Sequence, residues 1–167
     1  LGQFNRAIGT LDYYRRILFE RGDRTLAAVT QALLGVILLE IRKNSEAVTH
    51  LKSAVAEAEK TGNAMALYFA TGGMALYHFI EGNMSACRRC AADTLQIGQD
   101  AGMFRQYITP NFLEIGFAFV RAGESFLPGK DDRIEIARIL KGPNVHLKGV
   151  LLRLVAEYRL SLDDSFD

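Results

Sequence analysis

Three glycines frame this chain. Gly22, Gly62 and Gly102 each follow a helix-compatible stretch, and they lie 40 residues apart. Glycine just past a helix end adopts the left-handed conformation that closes the helix. One helix stop therefore recurs at a fixed period. Other positions keep the spacing: Ala7, Ala47 and Cys87 are all small, and so are Gly35 and Ala75. Gly2 and Gly82 lie two periods apart, as do Phe4 and Met84. A repeat of this length holds one helix pair, and a lone pair cannot bury its apolar face, so neighbouring pairs must stack.

The spacing predicts a helix over about 3–21, a second over 24–42 and a third over 45–61. A fourth covers 64–81 and a fifth 84–101. The sixth starts at Arg105 or Pro110 and stops before Gly123. Beyond that glycine the period breaks. Ser125 to Lys130 reads as a loop, Asp131 to Leu140 as a short helix and Asn144 to Ser161 as a final one. Asp131 and Asn144 suit N-caps, because their side chains can accept from free backbone N–H groups in the first turn. The tail to Asp167 reads as frayed. The expected organisation is a repeat region over 1–123 and a divergent helix pair or cap over 124–167. The chain opens on Leu1-Gly2-Gln3-Phe4 without Met, which suggests a piece of a larger protein entered in mid-unit.

The helix faces support this map. In the third helix Ala47, Leu51, Ala54, Val55 and Ala58 recur at three- and four-residue steps, with His50, Lys52, Glu57 and Glu59 on other faces. That is one buried stripe. The second and fourth helices are apolar nearly all round, from Leu33 to Ile41 and from Met74 to Ile80. Such helices are covered on several sides.

Composition narrows the function classes. Twenty basic and 19 acidic residues leave a net charge of +1, which gives no reason to expect nucleic acid contact. No apolar run approaches the roughly 18 residues a membrane span needs, and no secretory leader pattern is present. Two cysteines form no disulfide framework, so a reducing, cytoplasmic setting is expected.

A small residue in the inner helix, a Gly/Asn turn and a small residue early in the outer helix now stand out. They are Gly35, Asn44 and Ala47; then Ala75, Gly82-Asn83 and Cys87; then Gly116 and Gly123. Over about 1–123 the chain resembles the tetratricopeptide repeat family, in the long-repeat form of MalT-like bacterial signalling and transcription regulators. The resemblance implies an all-α fold. Antiparallel helix pairs, about seven or eight helices in all, would stack into a right-handed superhelix. It implies a non-catalytic scaffold or regulatory region that holds a protein or peptide partner, or other domains of its parent protein. A small-molecule sensor and a homo-oligomerisation module (a possible homodimer) are the alternatives. One departure matters: where the family has a large aromatic in the inner helix, this chain has Gln31 and Thr71.

By the same resemblance the inner helices line a concave partner-binding face. The positions are Val29, Ala32, Val36, Leu39 and Glu40 in the second helix. They are Phe69, Gly72, Leu76, Phe79 and Ile80 in the fourth, and Leu113, Phe117, Val120 and Arg121 in the sixth. An apolar face of this kind either marks an interaction site or is filled by the chain's last helix or the rest of its parent.

Little else carries chemistry. Cys87-Arg88-Arg89-Cys90 is a CxxC, but a zinc site needs a second pair of ligands and a thioredoxin-like motif needs a βαβ frame. Cys87 also occupies the register of Ala7 and Ala47, so it reads as a packing residue. His50, His78 and His146 lie on separate helices without a metal-binding spacing. Gly72-Gly73 sits inside a helix, where each glycine costs about 1 kcal/mol against alanine. It marks either close helix packing or a dent for a ligand, and Tyr68 and Tyr77 are near it in sequence. The last helix, with Val145, Leu147, Val150, Leu151, Leu154 and Val155, is amphipathic and suits a cap or a docking element. No catalytic set, metal site or cofactor motif is expected, and the chain reads as something other than an enzyme.

Overall fold

The structure of the chain is a computed structural model that describes residues 2–103, 110–126 and 131–163. Among them every regular element is a helix: α1 (Gly2–Glu20), α2 (Arg24–Glu40), α3 (Asn44–Thr61), α4 (Ala64–Ile80), α5 (Met84–Asp100), α6 (Pro110–Arg121), α7 (Asp132–Lys141) and α8 (Val145–Asp163). The expected all-α architecture of eight packed helices is present. The stretches 104–109, 127–130 and 164–167, which carry the expected start at Arg105, most of the Pro-Gly loop and the tail, lie outside the described residues.

The helix stops obey the period more strictly than the sequence suggested. Six times, at intervals of about 20 residues, a backbone N–H just beyond a helix reaches back to a carbonyl in its last turn. Asp23 donates to Leu18, Lys43 to Leu38, Asn63 to Ala58, Asn83 to His78, Met103 to Gly98 and Glu124 to Phe119. Five of these turns place glycine at positive φ; the sixth uses Arg42, at φ 62°. Next to three of the glycines an Asp or Asn starts the following helix. The side chains of Asp23, Asn63 and Asn83 each accept a backbone N–H from the first turn of α2, α4 and α5. The pair Gly-Asx thus ends one helix and begins the next.

Two compact units divide the chain, Leu1–Phe104 and Arg105–Asp167. In the first, α2, α3 and α4 pack mutually, α1 packs on α2 and α5 on α4. The core between α2, α3 and α4 is a ladder of small residues. Ala28, Ala58 and Ala66 form one rung, and Ala32, Ala54 and Ala70 the next. The third rung inverts the sizes. Leu51, fully buried, fills the space left by Gly35 and Gly73. A Cβ at Gly73 would lie 2.5 Å from Leu51 Cδ2. The dent at Gly73 is therefore a seat for Leu51, which accounts for a glycine in mid-helix.

One period later the same rungs carry other residues. Ala28 and Ala58 become Tyr68 and Gly98, and a Cβ at Gly98 would lie 3.0 Å from the Tyr68 ring. Ala54 becomes Thr94, buried, whose hydroxyl donates to the Cys90 carbonyl at 2.7 Å. Leu51 becomes Ala91, and Gly35 becomes Ala75. Large and small side chains change places between facing helices, and the volume at each rung differs from one period to the next.

In the second unit α8 packs on α6 and α7, burying Leu147, Leu151 and Leu154. Phe126, fully buried, lies over Gly116 and meets Phe117 edge-on at 5.4 Å. Its backbone N–H donates to Asp132 at 2.8 Å, beside the Asp131 cap that starts α7. Asn144 caps α8 through the Leu147 N–H, as expected. Arg153 bonds Glu114 and Glu157, and Arg121 reaches Glu157 at 3.3 Å, tying α6 to α8. The hydrogen bond from Arg153 holds the Glu157 carboxyl below its ordinary range.

Candidate binding groove

The fourteen positions expected along the inner helices divide into six buried, six half-buried and two exposed. On α2, Ala32 and Leu39 are fully buried, Val29 and Val36 half-buried and only Glu40 exposed. Ala32 is a rung of the alanine ladder, and Val29 packs on the rung beside it. On α4, Gly72 and Leu76 are buried, while Phe69, Phe79 and Ile80 are half-buried; Phe69 packs on the Ala32 rung. On α6, Leu113 and Phe117 are buried, Val120 is half-buried, and Arg121 is exposed and paired with Glu157. Ala32, Leu39, Gly72, Leu76, Leu113 and Phe117 therefore belong to packing and not to an open face. The physical reason lies in the ladder: small residues bring α2, α3 and α4 so close that one more stripe of α2 and α4 goes under.

Among the described residues a concavity lies between α3 and α5, which both pack on α4. It measures about 580 Å³. Leu67, Thr71 and Met74 of α4 form its floor, four and three residues apart, so all three lie on one helix face. Val55 from α3 and Ile97 from α5 complete the apolar lining. The rim is polar. Lys52 and Glu59 stand on the α3 side, Asp93, Gln96 and Asp100 on the α5 side. Gln96 donates to Asp100 at 2.7 Å. Among the described residues the rim carries three carboxylates, on Glu59, Asp93 and Asp100, and one ammonium group, on Lys52.

The groove is not a general consequence of the repeat. One period earlier the floor positions are Ala27, Gln31 and Leu34 on α2, and all three are buried. On α4 their counterparts Leu67, Thr71 and Met74 remain half-exposed. Thr71 stands where the resemblance implies a large aromatic. A phenyl ring there would occupy the space that is now open.

Cys90 opens onto the groove, half-buried, and burial together with the Asp93 carboxylate pushes its thiol pKa up. Cys87, one turn earlier, is fully buried, and burial pushes its thiol up to about 11. Both thiols stay protonated at neutral pH, which removes the nucleophilic form. Among the described residues no group of three or more His, Cys, Asp or Glu could hold a metal ion. No described helix is long and apolar enough to cross a membrane. His50 faces Asp12 and Arg15 of α1; burial, with the Arg15 charge second, lowers its pKa. His78 is likewise lowered by burial, then by Arg89 and Lys52. Neither histidine lines the groove.

No sequence motif outlines the groove, because its residues come from three helices and Cys90 of the CxxC is the one lining residue that a motif contains. One signal was present: Thr71 in an aromatic's place. No family model, curated protein or solved structure matches the chain.

Proposed function

We propose that this chain is a non-catalytic scaffold of the tetratricopeptide-like kind, a regulatory region of a larger cytoplasmic bacterial regulator, and that it holds an apolar partner segment between α3 and α5. The observation that carries this is the half-exposed apolar floor of Leu67, Thr71 and Met74 under a polar rim. Apolar surface kept in a concavity has a favourable transfer energy available to whatever covers it. Packed small-residue rungs fix the α3 wall against the α4 floor, so less ordering entropy is lost on binding there. The volume also falls in the range of about 300–1,000 Å³ typical of small-molecule sites, which favours a small-molecule sensor as the second reading.

The test is a plug. Thr71→Phe places a phenyl ring over the floor while leaving the ladder untouched. Nile red, a neutral apolar dye, is titrated into dilute wild type and variant, with helical circular dichroism as the control for folding. The dye brightens with the wild type and not with Thr71→Phe. Equal brightening with both, at equal helicity, defeats the groove reading.

A further inference from the structure

The second unit carries an apolar stripe that matches the groove. On α8, Val145, Leu152 and Leu160 are exposed, at 79%, 57% and 64% of their surface. Gly149 and Ala156, also exposed, lie between them at steps of four and three residues. The five positions form one helix face, opposite the buried Leu147, Leu151 and Leu154. Small residues alternate with large ones along it, so a facing helix can approach closely. An exposed stripe of this kind on a folded chain is an interaction surface.

Size and charge agree with the groove. From Leu152 to Leu160 the stripe runs about 12 Å, and the α5 wall from Cys90 to Asp100 runs about 15 Å, at 1.5 Å per residue. Arg159 is exposed beside Leu160, and Lys148 lies half-buried beside Gly149. The groove rim offers Glu59, Asp93 and Asp100 against Lys52. A basic-edged apolar helix is thus complementary to an acid-edged apolar trough, the kind of match that selects one partner and orients it.

Resting on the groove reading above, we propose that the occupant is α8 of a second copy of this chain, its Leu152–Leu160 stripe lying on Leu67, Thr71 and Met74. The fold then stores both halves of a self-association contact, one in each unit.

Sedimentation velocity on the full chain over rising concentration tests this. The wild type associates reversibly. Thr71→Phe, which plugs the trough, and Leu152→Asp, which charges the stripe, each weaken association by about tenfold or more. Their mixture regains association, because one variant keeps its stripe and the other its groove. That complementation excludes misfolding as the cause. A wild type that stays monomeric at every concentration overturns the proposal, and so does a mixture no stronger than its components. Nile red separates the two levels of failure. Dye binding by a strict monomer removes the self-docking and leaves the groove as a site. Dye binding unaffected by Thr71→Phe removes the groove itself.

Discussion

The third rung of the ladder makes a quantitative prediction, because its two sizes are coupled. Leu51 is fully buried against Gly35 and Gly73. Leu51→Ala removes its apolar contacts and leaves a void, a loss of about 2–5 kcal/mol. A Cβ added at Gly35 would lie 2.7 Å from Leu51 Cγ and 3.2 Å from the Ala47 carbonyl oxygen. Gly35→Ala alone therefore overpacks by about 1–3 kcal/mol, offset by about 1 kcal/mol of helix propensity. In the double variant the clash with Leu51 disappears and the new methyl fills part of the void. It also reproduces the next unit, where Ala75 and Ala91 are both buried at these positions. The double variant should be destabilised by about 2 kcal/mol less than the sum of the singles, a coupling of the size found between touching residues. Urea unfolding followed by helical circular dichroism measures it, with the two units fitted as separate transitions if they resolve. Additivity within about 0.5 kcal/mol would refute the claim that Leu51 is held by the glycines it faces.

Three further outcomes follow from single positions. Arg42→Gly with Lys43→Asn copies the Gly82-Asn83 turn into the one stop that lacks both residues; removing positive φ from an arginine and adding a missing N-cap should raise thermal stability by about 1–2 kcal/mol. Alkylation at mildly alkaline pH should modify Cys90 slowly and Cys87 only in denaturant, as peptide mass mapping would read; rapid labelling of Cys87 in the native chain would contradict its raised pKa of about 11. His50 has a lowered folded pKa, so the unfolded chain binds its proton more readily; stability should fall as pH drops below about 6.5 toward the folded value, and His50→Gln should flatten that part of a melting-temperature profile.

The fold was legible wherever backbone conformation forced a residue type. Positive φ selects glycine, and the 40-residue glycine spacing put α1 to α5 within a few residues of their places; the starts of α7 and α8 were marked instead by their capping residues Asp131 and Asn144. Arg42 shows the limit. Its turn makes the same return hydrogen bond as the others, Lys43 to Leu38, yet carries no glycine. The missing signal was supplied by the residues around it, since both flanking helices are fixed by their own packing. The ladder was half legible. Small residues at Gly35, Ala47 and Ala75 pointed to close approach, but the exchange of Ala28 and Ala58 for Tyr68 and Gly98 shows only when facing residues are paired across helices.

The candidate site was harder to read, because burial depends on the neighbour and not on the residue. Ala32, Leu39 and Leu76 are apolar on helices that are apolar all round, and periodicity cannot decide which stripe of such a helix is left open. The alanine rungs decide it. By drawing α2, α3 and α4 together they submerge the face that the family resemblance would have left free. An opening appears where the spacing between helices is not closed by a side chain, as it does over Thr71. Gln31, one period earlier, is longer and buried; Thr71 is shorter and lies between Leu67 and Met74 with space above it. A departure from the repeat pattern that looks like a weakness of the resemblance is thus the feature that makes the groove. The repeat sets the walls, and the residue that breaks the repeat sets the site.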